Sequence, residues 1–305
     1  MCNPPFARRF LKPKYWLTWL GLFFMLLLSV MPLAIRQWVG GIIGRLLLHS
    51  NDKRRNIAKK NLSIVFPDDN EQQINERVAE SFYWQGVGLA EYSLLFFASK
   101  RRLCKYIKLD GVDKLEEANR QKQNAVLLLL HSSMLDLAPF ALGDRYTVYG
   151  SYKPVKNGLL DWFVRRARCR SVAFVVAREE GMMKLVKSLV PGRFLIFLPD
   201  EDLGEKHADF VDFFGVPKAT LNTPARIAKM KSAKCFPCFA FFDKKDRQYH
   251  IKVSPEIQDF PAIDSQESAS KLNSALEVAI SEAPEQYMWS LQYFKTRPKN
   301  TDSVY

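Results

Sequence analysis

Cysteine is sparse in this 305-residue chain: Cys2, Cys104, Cys169, Cys235 and Cys238. The count is odd and the spacings describe no disulfide framework. That fits a reducing compartment and argues against a small cross-linked secreted scaffold. Cys235 and Cys238 form a C-x-x-C, but no second pair exists to complete a zinc site. In "KCFPCFAFF" they read as core thiols on a strand, three positions apart and so on opposite faces. No G-x-S-x-G elbow is present, which disfavours Ser132 or Ser133 as a covalent nucleophile. Nucleic-acid motifs, internal repeats and low-complexity tracts are also missing, so no nucleic-acid partner is expected. Acid is in deficit: 32 Asp and Glu against 45 Lys and Arg leave a net charge of +13. A surplus of that size implies an anionic partner or surface.

What is plentiful is apolar length. "YWLTWLGLFFMLLLSVMPLAI", from Tyr15 to Ile35, carries no charge. At about 1.5 Å per residue a helix of this length spans a bilayer core, and Tyr15, Trp16 and Trp19 suit its interface. No small-x-small cleavage site follows, which favours a retained anchor over a signal peptide. Basic residues flank the stretch on both sides, so charge does not orient it. Pro32 is a possible break, which would leave the helix partly in the interface.

The rest divides into residues 1–35 as anchor, 36–105 as a helical part, and 106–300 as an α/β core. In the core, strand-like runs at 125–130, 147–152, 171–176, 193–199 and 235–242 alternate with helices near 159–167, 180–190 and 223–233. The pattern predicts a mostly parallel mixed sheet with helices on both faces. The tail from Arg297 reads as loose. In such sheets ligands bind beyond the carboxyl ends of the strands. There "AVLLLL" ends in His131, "TVYGSY" in Lys153, "SVAFVV" in Ala177-Arg178 and "RFLIFLP" in Asp200-Glu201-Asp202. Histidine is scarce, four in all, and this one is followed five positions later by Asp136. An imidazole with a carboxylate partner is an oriented general base. Arginines crowd 165–170, where planar forks suit phosphate or carboxylate.

"HSSMLD" has the H-x4-D form of the glycerolipid acyltransferases. "KPKYWLTWLG", "LPDEDLGEKHADFVDFFGVPKATL" and "APEQYMWSLQYFKTRP" are more specific, and with it they resemble the late acyltransferases of bacterial lipid A synthesis over nearly the whole chain. Asp136 with the Pro-Asp-Glu-Asp block leans toward the myristoyl type. The resemblance implies an enzyme at the inner membrane with its site facing the cytoplasm, an acyl donor on acyl carrier protein, and a phosphorylated Kdo2-lipid A precursor as acceptor. His131 would take the proton of an acceptor hydroxyl and Asp136 would hold the imidazole. Arg168 and Arg170 would serve the oxyanion or a phosphate, and Arg178 the acceptor. Lys153 and Glu201 join the binding set. Asp200 and Asp202 would order arginines or meet sugar hydroxyls. Neither cofactor nor metal is expected. The alternatives are another glycerolipid or glycolipid acyltransferase, or a non-catalytic basic protein of membrane surfaces.

Overall fold

The computed structural model describes residues 5–177 and 181–305. Short 3-10 turns at Arg8–Leu11 and Pro13–Tyr15 lead into α1 (Trp16–Val30), α2 (Leu33–Ser50), α3 (Asp52–Val65), α4 (Glu71–Phe97) and α5 (Lys100–Cys104). Then follow β1 (Ile107–Asp110), α6 (Asp113–Arg120), β2 (Ala125–Leu129), α7 (Leu137–Arg145), β3 (Val148–Tyr152), α8 (Gly158–Arg168), β4 (Phe174–Ala177), α9 (Met182–Ser188) and β5 (Phe194–Phe197). The chain closes with β6 (Ala208–Phe213), β7 (Val216–Leu221), α10 (Thr223–Lys231), β8 (Lys234–Asp243), β9 (Gln248–Val253) and α11 (Ser265–Ile280).

Seven strands form one sheet in the order β1-β9-β8-β2-β5-β3-β4. Every neighbour pair is parallel except β8 with β9. The expected mixed, mostly parallel sheet is therefore present. Because β2 is buried on both sides, its side chains feed two cores by simple alternation. Val126, Leu128 and Leu130 join the core that holds Leu185 of α9, Ile227 of α10 and Leu272 of α11. Ala125, Leu127 and Leu129 join the opposite one, with Leu103 of α5, Leu115 of α6 and Ala138 of α7. The buried thiols Cys235 and Cys238 split between these two faces, and burial pushes both up to about 12, as inert core residues.

Four strands escape the pattern reading. β1 is a short edge strand paired with β9, and β6 and β7 form a separate antiparallel hairpin. Its turn is Phe214-Gly215, both at positive φ (50° and 74°), the hairpin geometry that right-handed strand twist favours. The tail is not loose. Arg297 donates to the Pro217 carbonyl at 2.6 Å, and the Tyr305 hydroxyl donates to Asn61 at 2.5 Å.

The expected 21-residue helix is two helices. Met31 and Pro32 are extended, and Pro32 caps α2. Among the described residues, Pro13–Val30 alone is long and apolar enough to cross a membrane by length and composition. α1 shows Trp16, Leu17, Leu20, Phe23, Phe24 and Leu27 to solvent, and α2 shows Ile35, Trp38, Ile42 and Leu46. Both sets follow helical spacing along one stripe. The other side of α2 packs on α4 so closely that a Cβ on Gly86 would meet the Gly40 carbonyl at 2.1 Å. Arg36 of α2 and Glu91 of α4 form a fully buried ion pair at 3.0 Å within this seam.

Candidate active site

β2 ends at Leu129, and the chain turns through His131 into a loop that reaches α7. The C-terminal segment around Tyr287 fixes that loop. The Met288 N–H donates to the His131 carbonyl and the Ser133 N–H to the Gln286 carbonyl, each at 2.9 Å. α4 also presses close, so that a Cβ on Gly88 would lie 2.0 Å from the Ser133 carbonyl. The loop that carries His131 is thus held by α4 and the C-terminal segment before its side chain is considered.

The ring of His131 faces Asp200, at the end of β5, not Asp136. Its Nδ1 lies 2.7 Å from Asp200 Oδ1, and its backbone N–H donates to Asp200 Oδ2 at 2.8 Å. The Tyr287 hydroxyl donates to the same Oδ2 at 2.9 Å. Asp200 is completely buried. Burial alone would push its carboxyl up, but His131 and Tyr287 outweigh that and hold it below the usual carboxylate range. His131 moves the opposite way. Burial pushes it down, and the Asp200 charge and hydrogen bond more than offset this, leaving it above the ordinary imidazole value. Its Nε2 has no hydrogen bond among the described residues. Among the described residues Glu201 Oε1 approaches it, at 3.7 Å.

Asp136, just ahead of α7, has its own partners. The Tyr92 hydroxyl of α4 donates to Oδ2. Arg168 approaches Oδ1 through Nε at 2.9 Å and a terminal nitrogen at 2.7 Å. The direct His131–Asp136 bond expected from the spacing is absent among the described residues. The loop after β2 aims the two side chains differently, and β5, the sheet neighbour of β2, brings a carboxylate closer.

His131, Asp136, Arg168, Lys153 and Glu201 line one cavity of about 330 Å³. Its inner wall is apolar: Leu129, Leu135, Val175, Ile196 and Leu198. A polar mouth over an apolar pocket suits a ligand that is part headgroup and part hydrocarbon. Lys153 is exposed at the mouth.

Other expected residues fall elsewhere. Arg170 donates to the carbonyls of Leu95 at 3.1 Å and Ala98 at 2.6 Å, closing the end of α4, where helix carbonyls lack partners. Asp202 accepts from the N–H and hydroxyl of Thr296, at 2.6 and 2.7 Å, so it ties down the C-terminal segment, and among the described residues no arginine is paired with it. Asp200, sealed from solvent, cannot meet a sugar. Ser132 is buried, and its Oγ has no partner among the described residues, which leaves it without an activating base. Arg178 lies outside the described residues. Among the described residues, Asp243, Asp246 and His250 are spaced to hold a metal. They sit at the β8–β9 end of the sheet and not around His131. Tyr92 and Tyr287 were invisible to spacing. Tyr287 does lie within the distinctive "APEQYMW" run.

Residues 3–296 match the family described as bacterial lipid A biosynthesis acyltransferase. The lipid A biosynthesis palmitoleoyltransferase of Escherichia coli K12 is 30% identical over 301 residues, covering 98% of each chain. The lauroyltransferase of the same strain is 31% identical over 303 residues, covering 99% of each. Its myristoyltransferase is 28% identical over 295 residues, covering 96% of this chain and 91% of that protein.

Proposed function

The chain belongs to the bacterial lipid A biosynthesis acyltransferases, and we propose that it carries a fatty acyl group from acyl carrier protein to a hydroxyl on a Kdo2-lipid A precursor. The observation that supports this most is the pairing of His131 with Asp200 at the mouth of an apolar cavity. In this reading Asp200 holds Nδ1 protonated, so Nε2 keeps its lone pair for the acceptor hydroxyl. The alkoxide attacks the donor thioester carbon, and the resulting oxyanion needs a fixed positive group. Arg168 lines the cavity and is held in place by Asp136, so we assign it to that oxygen or to an acceptor phosphate. The imidazolium then returns its proton to the departing thiolate, and the proton count closes. Asp136 thereby serves the arginine, and through its charge the imidazole.

The basic surplus suits an acidic carrier protein and an anionic acceptor. The exposed apolar stripes on α1 and α2 suit the inner membrane with the site on its cytoplasmic side. The likeness to lauroyl-, palmitoleoyl- and myristoyltransferases at similar identity leaves the myristoyl reading resting on Asp136 and the Pro-Asp-Glu-Asp block. The decisive test is transfer from defined acyl carrier protein thioesters of several chain lengths to a tetra-acylated and a penta-acylated precursor, read by mass spectrometry. Addition of one acyl mass to either acceptor is expected. Transfer to glycerol phosphate instead would overturn the assignment.

A further inference from the structure

The apolar run that begins at Tyr15 does not make one free helix. α1 has 15 residues, which at about 1.5 Å per residue is about 22 Å of helix, short of a hydrocarbon core of about 30 Å. One side of it is tied to the rest of the protein along its length. Tyr15 and Leu22 are buried with Phe10 and with Leu159 of α8. Asn157, which caps α8, donates to the Thr18 hydroxyl at 2.8 Å. The Trp19 ring meets Phe163 of α8 edge-on at 6.0 Å. Beyond the last turn the Met31 carbonyl accepts from Arg36 at 2.8 Å and from Arg102 at 3.4 Å. Arg36 is itself fixed by Glu91 of α4.

A helix that crosses a bilayer alone meets lipid on every side. Carrying α1 across would draw the attached α8, with its exposed Arg166, toward hydrocarbon, where an unpaired charge is strongly unfavourable. The charge pattern points the same way. Residues 1–50 contain no Asp or Glu, so all 32 acidic residues come later. Arg8, Arg9, Lys12 and Lys14 are exposed just ahead of α1, and Arg45 is exposed next to Leu46 of the α2 stripe. Apolar side chains flanked by cations alone complement one kind of surface, anionic headgroups over acyl chains. We propose that α1 and α2 together form an in-plane docking surface that enters one leaflet of an anionic bilayer, and that neither helix crosses it. The amino terminus then stays on the same side as the catalytic domain. The proposal deepens the membrane reading above and rests on it, and it is independent of the chemistry assigned to His131.

The test reads which side of the membrane holds the amino terminus. The full chain with an amino-terminal tag is expressed in bacterial cells, and trypsin is added outside spheroplasts and outside sealed inverted inner-membrane vesicles. In-plane docking should expose tag and catalytic domain together, both cut in inverted vesicles and both protected in spheroplasts. A tag protected in inverted vesicles while the rest is cut would mean that α1 crosses, and would overturn this proposal alone. A chain absent from the membrane fraction would remove the membrane reading beneath it, and a stable dimer in that case would give the stripes to a second copy. Lys12→Gln combined with Lys14→Gln should weaken cosedimentation of the purified chain with phosphatidylglycerol vesicles by on the order of ten-fold, and leave that with phosphatidylcholine vesicles unchanged. Parental binding to phosphatidylglycerol, or equal loss on both lipids, would overturn the match to an anionic leaflet.

Discussion

Two histidines in this molecule sit beside aspartates, and they are not alike. His131 has one ring nitrogen on Asp200 and the other at the mouth of an apolar cavity. His250 of β9 has both nitrogens taken, Nδ1 by Asp110 at 2.6 Å and Nε2 by Asp246 at 2.7 Å. The hollow beside His250 is walled by charge, with Lys108, Lys244, Lys252 and Glu282 among its residues. A general base needs an oriented ring, one nitrogen with an open lone pair, and a place for the substrate. His131 meets all three conditions. His250 meets the first, and its two carboxylates make it a tie between β1, β9 and the turn after β8. A histidine with an acidic neighbour is therefore a weak sign of catalysis until the second nitrogen is located.

Substitution at the two positions breaks the comparison most directly. His131→Ala should lower turnover by on the order of 10²–10⁴ while the protein stays folded. His250→Ala should leave turnover near parental. Equal losses from both, in initial-rate assays on purified protein, would erase the distinction.

Asp200→Asn comes next. It removes the group that holds the tautomer and balances the imidazolium, and a loss on the order of 10² or more in kcat is expected. Because the two residues act as a unit, His131→Ala combined with Asp200→Asn should be little worse than His131→Ala alone. Asp136→Asn should also be costly, by another route. It releases Arg168, so part of its loss should appear in KM, and Asp136→Glu should be the mildest change. A double variant of Asp136 and His131 whose losses multiply would fit this division, and identical behaviour of Asp136→Asn and Asp200→Asn would count against it.

The pH dependence sharpens the contrast further. As the proposed base His131 would act when neutral, and Asp200 raises it above the ordinary value of about 6.5. The acid limb of kcat/KM should accordingly lie above that pH and activity should fall as pH drops through it. Asp200→Asn should bring the limb down. The stability contribution has the matching sign. The His131–Asp200 bond stabilises most at pH below the unfolded histidine value and weakens as pH rises through the folded one. The smallest effect belongs to the structural histidine: His250→Ala should lower stability by about 1–3 kcal/mol, visible in chemical denaturation and not in rate.

How much of this could be read from residues alone differs by element. Runs such as "AVLLLL" and "RFLIFLP" are apolar throughout because both faces are covered, so β2 and β5 were legible with their polar ends. The polar strand ends at His131, Lys153 and Glu201 do line one cavity. Sequence distance points His131 to the aspartate five positions on, whereas the adjacency of β2 and β5 puts Asp200 nearer. Arg170 looked identical to Arg168 in composition, yet two positions along α8 and its end separate a cavity-lining arginine from a helix cap. The hairpin β6–β7 was missed because "HADFVDFFGVPKATL" mixes charge and aromatics without clean alternation, and its aromatic face packs under α11. Pro32 is legible as a break, and it does divide the apolar stretch.

The clamp on the loop after β2 has a consequence in time. His131 and β2 are made early in synthesis, but the residues that hold the His131 carbonyl and complete the surroundings of Asp200 come from Gln286, Tyr287 and Met288. At roughly 5–20 residues per second, elongation leaves an interval on the order of ten seconds between the two. During that interval α1 and α2 already offer their apolar stripes, while the base lacks its support. A chain clipped before Pro284 should therefore carry the apolar stripes of α1 and α2 without the contacts that hold the His131 loop and Asp200.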